Sequence, residues 1–338
     1  MSLSNTNRTR GGALLAVLWL SAALSAIAFA VATTVRGEIA RTETTVEALR
    51  AHYLANGALD RAHNYLLYGA GPRLPDGRPR FWQPGQPLLL FPFPEGEAVV
   101  EVIPESARLN VNLAPEQEIL QLLLALGVPG IHATQVTAAI LDWRSPSPGG
   151  DISVFDRIYL SRSPSFRAPH ASLEQIEELL SVHGITPELF HGRYDRLPNG
   201  TLVARAGLRD CLSVYSGHTA LDINSVEPEV MLAVGAPPSA VEMIVTNRRL
   251  APITEAQFGV TSTLLGSAAG RFRVGGDRIY TLRAFARPRR PDGRLSDLRR
   301  SASMTVQLNS SLSPTGTRVL QYRENTPGAR LRFEVWPQ

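Results

Sequence analysis

Three carboxylates that could bind a metal lie close together in one stretch of the chain, residues 142–156. This stretch, DWRSPSPGGDISVFD, contains Asp142, Asp151 and Asp156 among glycines and prolines. Calcium binds six to eight oxygen atoms, several of them anionic, and the acidic residues here are too sparse for an EF-hand pattern. We therefore assign no metal and no cofactor, and keep these three aspartates as weak calcium candidates.

No motif of a known catalytic site accompanies these carboxylates. The chain contains no GxSxG elbow, HExxH zinc helix, P-loop or GxGxxG turn after a strand. Its seven histidines are dispersed, and Cys211, the single cysteine, excludes an internal disulfide and a cysteine-ligated zinc cluster. The sequence thus predicts that the protein is not an enzyme, and that Cys211 is a small buried residue.

Two related helical segments, residues 109–144 and 221–249, could bind phosphate groups. They share an asparagine, a glycine and a proline at corresponding positions, which indicates an internal repeat. The matched pairs are Asn112 with Asn224, Gly127 with Gly235, and Pro129 with Pro237. We expect each asparagine to cap a first helix by accepting a backbone N–H, and the glycine and proline to turn the chain into a second helix. This pattern predicts two helix-hairpin-helix units.

Helix-hairpin-helix units often hold nucleic-acid phosphates, and that requires positive charge. Residues 106–144 carry two arginines against three acidic residues, and residues 222–249 carry two arginines against four. Neither hairpin turn (GVPGI, GAPPS) contains a basic residue. We therefore predict that both units pack against protein and bind no nucleic acid, with a membrane-anchored DNA receptor as the alternative.

Positive charge is concentrated instead in residues 287–300. All 34 basic residues of the chain are arginines, its net charge is +4, and six of the arginines crowd this one loop. They are Arg287, Arg289, Arg290, Arg294, Arg299 and Arg300. Such a loop either docks an acidic partner or is a solvated turn. The strands predicted on both sides explain the loop, so we favour the solvated turn.

The first 70 residues contain the element that anchors the chain. After Arg8 and Arg10, an uncharged apolar run extends from Gly11 to Val35. As a helix it would be about 37 Å long, enough to cross a bilayer core of about 30 Å. The two arginines place the leader in the cytoplasm and the rest of the chain outside it. Residues 36–69 lack proline and continue as an amphipathic helix. A plain signal anchor is the simplest alternative.

The remaining sequence alternates between sheet and helix. Seven prolines between residues 72 and 94 exclude a helix there, and residues 98–103 alternate as a strand. Residues 106–266 are mainly helical, with a helix predicted at 172–182 that begins with a capping box of Ser172 and Gln175. Further strands are predicted at 278–286, 301–308, 318–323 and 330–335. The predicted fold class is α+β, an all-α domain inserted into an antiparallel sheet domain.

Three segments in this order resemble the K class of minor pseudopilins of type II secretion. The opening RGGALLAVLWLSAAL is similar to the leader junction of that family. The segments LNVNLA, LLLALGVPG and AAILDWR are similar to its helical insert, and YTLRAFAR and RVLQYRE to its closing strands. The resemblance implies a pseudopilin fold with these parts: leader 1–11, transmembrane helix 12–35, amphipathic extension 36–70, sheet domain 71–105 and 271–338, and inserted helical domain 106–270.

The resemblance also implies roles for single residues. Prepilin peptidase would cut between Gly11 and Gly12, and the new terminus at Gly12 would be N-methylated. Most pseudopilins have a glutamate at the fifth mature position, and Ala16 stands there in this chain. A carboxylate in the bilayer is costly unless it is paired, and a subunit at the tip of the fibre has no subunit above it to pair with. The family's loop after ILDW is acidic and supplies calcium ligands, whereas here Arg144 and SPSPGG precede Asp151 and Asp156.

The function implied is that of a subunit at the tip of the type II pseudopilus. It would prime assembly with the I- and J-class minor pseudopilins and contact the secretion platform. The chain would cross the inner membrane once, with its C-terminal domain in the periplasm. A minor pilin of a type IV pilus is a further alternative.

Overall fold

The computed structural model describes residues 10–69, 71–77, 80–196, 198, 200–217, 220–276, 278–308 and 316–324. Residues 1–9 of the predicted leader and the strand predicted at 330–335 lie outside these residues. The helices in chain order are α1 (Arg10–Tyr68), α2 (Glu116–Ala125), α3 (Gly130–Arg144), α4 (Val154–Leu160), α5 (Pro187–His191), α6 (Leu208–Cys211), α7 (Pro228–Ala233), α8 (Pro238–Leu250) and α9 (Glu255–Leu264).

The strands alternate with these helices along the chain. They are β1 (Leu88–Phe93), β2 (Gly96–Pro104), β3 (Leu109–Asn110), β4 (Arg193–Arg196), β5 (Leu202–Arg205), β6 (Leu212–Ser213), β7 (Leu221–Asp222), β8 (Phe272–Arg273), β9 (Ile279–Pro288), β10 (Arg300–Leu308) and β11 (Thr317–Glu324). Short 3-10 helices cover Glu105–Ala107, Pro148–Gly150, Ile176–Ser181 and Gly266–Arg271. The predicted α+β class is confirmed, and four predicted strands correspond to β2, β9, β10 and β11.

The helix α1 runs without a break for 59 residues and packs its second half on one face of a five-stranded antiparallel sheet. The strand order of this sheet is β1-β2-β9-β10-β11. Residues of α1 at helical spacing are buried against it: Ala51, Leu54, Ala55, Ala58, Leu59, Ala62 and Leu66. Small alanines bring the helix axis close to the sheet, and burial of leucine side chains stabilises the contact by about 1.5–3 kcal/mol each.

The helical insert leaves the sheet after Pro104 and returns at Ile279, where the two strands that it interrupts are hydrogen-bonded neighbours. The insert has a hydrophobic core of its own, separate from the core under the sheet. Cys211 lies in it and is fully buried, as predicted. Because the insert begins and ends at the same end of the β2–β9 pair, the sheet is continuous without the insert.

One predicted helix is wrong in extent and type. Residues 172–182 do not form an α-helix beginning at Ser172; a 3-10 helix covers Ile176–Ser181, and its capping pair is Gln175 with Glu178. The reason is a tertiary contact, because the backbone N–H and C=O of Leu173 are both bound by the side chain of Asn112. That contact holds Leu173 outside the helix.

Candidate functional site

The first candidate site is the apolar part of α1. Residues 12–35 are exposed except for one half-buried position, and a stretch of α1 is long and apolar enough to cross a membrane. Gly11 and Gly12 lie at the beginning of the helix, and Ala16 follows one turn later on its exposed surface. No acidic residue lies between Gly12 and Val35. The first acidic side chain of the helix, Glu38, is in the part beyond the apolar run.

The second candidate site is the pair of helical hairpins predicted from the repeat. In the first unit α2 and α3 are joined at Gly127, and in the second α7 and α8 are joined at Gly235. Both glycines have a positive φ, 84° and 91°, which is the left-handed conformation that glycine adopts at helix ends. The helices α2 and α7 pack against each other. The two units therefore form one four-helix body inside the insert.

The two asparagines at equivalent positions of the repeat do not cap helices, contrary to the prediction. The N-cap residues that precede α2 and α7 are Pro115 and Glu227, and neither helix has a side-chain cap. Asn112 instead accepts from the N–H of Leu173 at 2.8 Å and donates to its C=O at 2.9 Å. Asn224 makes the same pair with Ile253, at 2.8 and 2.9 Å. Each asparagine side chain thus binds the N–H and the C=O of one residue in the segment that follows its hairpin, as a neighbouring strand would.

A second repeated contact was not predicted at all. Arg144, at the end of α3, donates to the backbone C=O groups of Val111 and Ala114. Arg248, near the end of α8, donates to the corresponding C=O groups of Ile223 and Val226. The only sequence signal for this contact is the arginine at the end of the second helix in each unit. Both guanidinium groups therefore bind the backbone of their own unit.

The candidate calcium loop is organised around a buried carboxylate, Asp156. Its oxygens accept from Arg167 Nε at 3.1 Å, His170 Nε2 at 2.9 Å, and the backbone N–H groups of Ala168 and Ser153 at 3.1 and 3.3 Å. His170 also donates from Nδ1 to the C=O of Asp142 at 3.0 Å. Since both ring nitrogens of His170 face acceptors, the ring is a cation.

Electrostatics in this loop follow from those contacts. Burial raises the pKa of the Asp156 carboxyl, but the hydrogen bonds from two cations and two amides outweigh it and lower the pKa from 3.8 to about 2. The hydrogen bond to Asp156 raises the pKa of His170. Asp156 is therefore ionised, and its charge is compensated by Arg167 and His170.

Calcium does not fit the residues as they lie. The side chain of Asp142 accepts from Ser153 Oγ at 3.0 Å, Asp151 is exposed, and the Asp156 carboxylate is already bound to two cations. Among the described residues, no group of three or more histidine, cysteine or acidic side chains is arranged to hold a metal ion. Asp142, Asp151 and Asp156 stay candidates from the sequence alone, and no metal is assigned to them.

The junction between sheet and insert contains buried charges that the sequence did not indicate. Glu105, 2% exposed, accepts from Arg108 at 3.0 Å, from Thr281 Oγ1 at 2.6 Å and from Ser213 Oγ. These partners come from the chain leaving the sheet, from β9 and from β6 in the insert. Glu105 therefore connects the two parts of the molecule.

A second ion pair crosses the same junction. Glu177, in the 3-10 helix Ile176–Ser181, binds both terminal nitrogens of Arg323 in β11. Burial raises the pKa of Glu177, but the hydrogen bond and charge of Arg323 outweigh it and the pKa is lowered. The insert is thus fixed to the sheet at a central strand and at an edge strand.

A single long apolar helix packs on an antiparallel sheet, and a helical domain is inserted between two neighbouring strands. This is the pseudopilin fold with a helical insert that the sequence predicted. A chain of the GspK-GspI-GspJ complex from the type 2 secretion system of enterotoxigenic Escherichia coli has this fold, with a TM-score of 0.51 and 17% identity. The superposition covers 84% of the present chain and 99% of that chain.

Sequence comparisons indicate the particular family. A family model described as type II secretion system (T2SS), protein K, matches residues 100–192. The type II secretion system proteins K of Pectobacterium carotovorum subsp. carotovorum and Klebsiella pneumoniae are 29% and 28% identical. These matches cover 54% of this chain but 61% and 60% of the length of those relatives. The predicted resemblance to the protein K family of type II secretion is confirmed.

Proposed function

We propose that the protein is a minor pseudopilin at the tip of the type II secretion pseudopilus, where it primes assembly with the I- and J-class minor pseudopilins. The observation that carries the proposal is the position of the insert. It joins the sheet at the Pro104 and Tyr280 end of the β2–β9 pair, whereas the Gly96 and Pro288 end lies toward the apolar span. A bulky domain at the end of the sheet away from the anchor suits a subunit above which no other is added.

The surface of α1 beyond the apolar run supports partners of the same kind. Ile39, Val46, Leu49 and Tyr53 are 41–67% exposed and recur at intervals of seven, three and four residues. That interval is the seam of a coiled coil. Ile39, Val46 and Leu49 lie on α1 before the stretch that packs on the sheet, and Tyr53 is an exposed residue within that stretch. We propose that this stripe packs against the long helices of the I- and J-class subunits.

We further propose the membrane arrangement that the leader implies. Prepilin peptidase cuts between Gly11 and Gly12 on the cytoplasmic side of the inner membrane, and the sheet and insert lie in the periplasm. The role is structural rather than catalytic, and it requires no cofactor. The observation behind this arrangement is the apolar run of α1, which begins directly after Arg10. Mass spectrometry of the membrane-extracted chain would find a mature terminus at Gly12.

The direct test is co-isolation from membranes. The full chain, expressed with I- and J-class subunits in a strain lacking its own K-class subunit, should be extracted with both and should restore secretion of a type II substrate. If neither subunit is recovered with it and secretion stays absent, the proposal is wrong. Retardation of DNA by the chain at physiological salt would instead favour the DNA receptor, and incorporation into an extracellular fibre would favour a type IV pilin.

Position at the tip has its own test at Ala16. The substitution Ala16→Glu places a carboxylate in the membrane with no subunit above to pair with it, so we expect at least about tenfold less of the three-subunit complex. Ala16→Gln adds a side chain of the same size without the charge and should have a much smaller effect. Equal recovery of the Ala16→Glu and unsubstituted chains would contradict a tip position.

A further inference from the structure

The loop between β9 and β10, residues 287–300, is bound to α1 on the side of the sheet that lies toward the apolar span. We call it the arginine loop. Glu47 of α1 accepts from Ser296 Oγ at 2.7 Å and pairs with Arg290 at 3.5 Å. Glu47 lies 12 residues beyond Val35, which is about 18 Å along a helix. The loop is therefore held at a fixed height just outside the apolar run.

The tip of the arginine loop shares a groove with the end of the apolar run. Pro291 and Asp292 line a groove of about 1030 Å³ together with residues 34–50 of α1. Thr34 and Val35, which end the apolar run, are part of the same wall. The polar headgroups occupy about 5–7 Å on each side of the hydrocarbon core, and electrostatic attraction extends about 8 Å further at physiological ionic strength. Because the loop tip lines a groove that reaches Thr34 and Val35, we infer that it faces the headgroup side of the molecule.

The exposed charge of the loop is positive. Six arginines stand against two acidic residues, Asp292 and Asp297. Arg287 donates to the C=O of Ser296, Arg289 binds Glu97 and the C=O of Gly293, and Arg290 pairs with Glu47 and Asp297. Four of the six side chains are exposed, namely Arg290, Arg294, Arg299 and Arg300. Exposed guanidinium groups bind phosphate oxygens, often through two parallel hydrogen bonds.

We propose that the arginine loop binds anionic phospholipid headgroups at the membrane surface. This inference rests on the proposed membrane anchoring by α1, and goes beyond it by assigning a lipid class and a site. The loop is bound to the helix that carries the anchor, because Ser296 and Arg290 both contact Glu47. Contact with phosphate groups then fixes the height and tilt of the sheet above the bilayer before other subunits are added.

The test uses the full chain in lipid vesicles. A fluorophore is attached to Pro291→Cys, since the single native cysteine, Cys211, is fully buried. Quenching is measured with a headgroup-labelled phosphatidylglycerol and, separately, with an equally labelled phosphatidylcholine at the same fraction. We expect the labelled phosphatidylglycerol to quench more than the labelled phosphatidylcholine, by at least about fivefold for each arginine that binds a headgroup. This difference in quenching should disappear at 0.5 M salt.

Two substituted chains locate the effect. In the triple variant that combines Arg290→Gln, Arg294→Gln and Arg300→Gln, the preference for phosphatidylglycerol should disappear. The single variant Arg294→Gln keeps the contacts to Glu47, and its preference should decrease only in part. The matched control removes three arginines that are exposed elsewhere, Arg157→Gln, Arg249→Gln, Arg318→Gln, and should keep the preference. Thermal melting of each chain verifies that the fold is retained.

Several results would overturn the inference. The loop does not bind anionic headgroups selectively if both lipids quench equally. The same conclusion follows if the loop substitutions leave the preference for phosphatidylglycerol unchanged. Cross-linking of position 291 to a neighbouring subunit, without lipid preference, would assign the loop to protein contact. Loss of the chain from vesicles on alkaline extraction would refute the anchoring proposal as well, whereas a retained chain with an indifferent loop refutes this inference alone.

Discussion

Asp156 is a buried carboxylate whose charge is neutralised by side chains of the same chain. Its carboxylate is fully buried, a position that is unfavourable for an isolated charge. Arg167 and His170 supply two positive charges from the chain itself, and two backbone amides supply further hydrogen bonds. The loop is thereby closed around a carboxylate that is fully satisfied by protein groups.

This arrangement predicts that the loop is stable without calcium. Adding millimolar calcium or a chelator should leave the melting temperature of the full chain unchanged. Asp156→Asn leaves two cations without their partner and should lower the free energy of unfolding by about 3–5 kcal/mol. His170→Gln removes one charged hydrogen bond and should cost about 1.5–3 kcal/mol. Denaturant unfolding measures both.

Asp151→Asn is the matched control for this prediction, because Asp151 is an exposed aspartate of the same loop. It should change the free energy of unfolding by less than about 0.5 kcal/mol. A rise in melting temperature on adding calcium that Asp151→Asn abolishes would contradict the prediction and restore the calcium site.

At the scale of elements, the two helical hairpins are joined to their surroundings by equivalent side chains. Asn112 and Asn224 each bind both backbone groups of a residue 61 and 29 positions further on. Arg144 and Arg248 each bind two C=O groups at the beginning of their own unit. The two units therefore share the helical hairpin and also the side-chain contacts that hold the segments before and after it.

The asparagine contacts predict unequal costs for equivalent substitutions. Asn224 is 8% exposed, whereas Asn112 is only half-buried. Alanine at either position leaves one backbone N–H and one C=O unpaired, at about 1–3 kcal/mol, and water reaches the site of Asn112 more easily. We expect Asn224→Ala to reduce the free energy of unfolding more than Asn112→Ala. Chemical denaturation of both variants gives the comparison, and an equal or reversed order would contradict it.

At the scale of the whole molecule, the insert and the sheet have separate hydrophobic cores, and polar contacts join them. Glu105 binds groups of β6 and β9, and Glu177 binds Arg323 of β11. Two cores joined in this way can unfold independently once the junction is weakened. The position of the insert above the sheet, on which the tip proposal depends, is determined by these few side chains.

Substitution of the buried junction residue should separate the two parts. Glu105→Ala leaves Arg108 buried without its partner, and we expect a loss of about 3–5 kcal/mol. The single thermal transition should divide into two in calorimetry. Glu177→Gln, at a half-buried ion pair, should cost no more than about 1 kcal/mol and keep one transition. One transition in the Glu105→Ala chain would show that the hydrophobic contacts alone couple the parts.

The Glu177 pair also predicts a dependence on pH. Because the pKa of Glu177 is lowered in the folded chain, its contribution is fully present above its ordinary pKa of 4.5. It is lost as the pH falls through the lowered value. The difference in stability between the unsubstituted chain and Glu177→Gln should therefore be constant from pH 8 to 5 and decrease below about 4.5. A difference that grows as the pH falls would contradict this assignment.

The local sequence by itself determined the anchoring helix, the class of fold, the hairpin repeat and the strands β2, β9, β10 and β11. Each of these follows from periodicity, from glycine and proline positions or from the absence of charge, and such signals are contained within one segment. The same reasoning placed the helix at 172–182 incorrectly, because Asn112 competes for the backbone of Leu173 from outside that segment.

Only the tertiary structure decided which polar groups meet. Glu47 with Ser296, Glu105 with Thr281, and Asp156 with His170 are separated by 249, 176 and 14 residues. Hydrophobic patterning specifies which face of an element is buried, but a hydrogen bond needs two groups within about 3 Å in the correct orientation. That condition depends on how the elements are packed. Hence the sequence indicated an arginine-rich loop, whereas its position beside the end of the apolar run came from the packed structure.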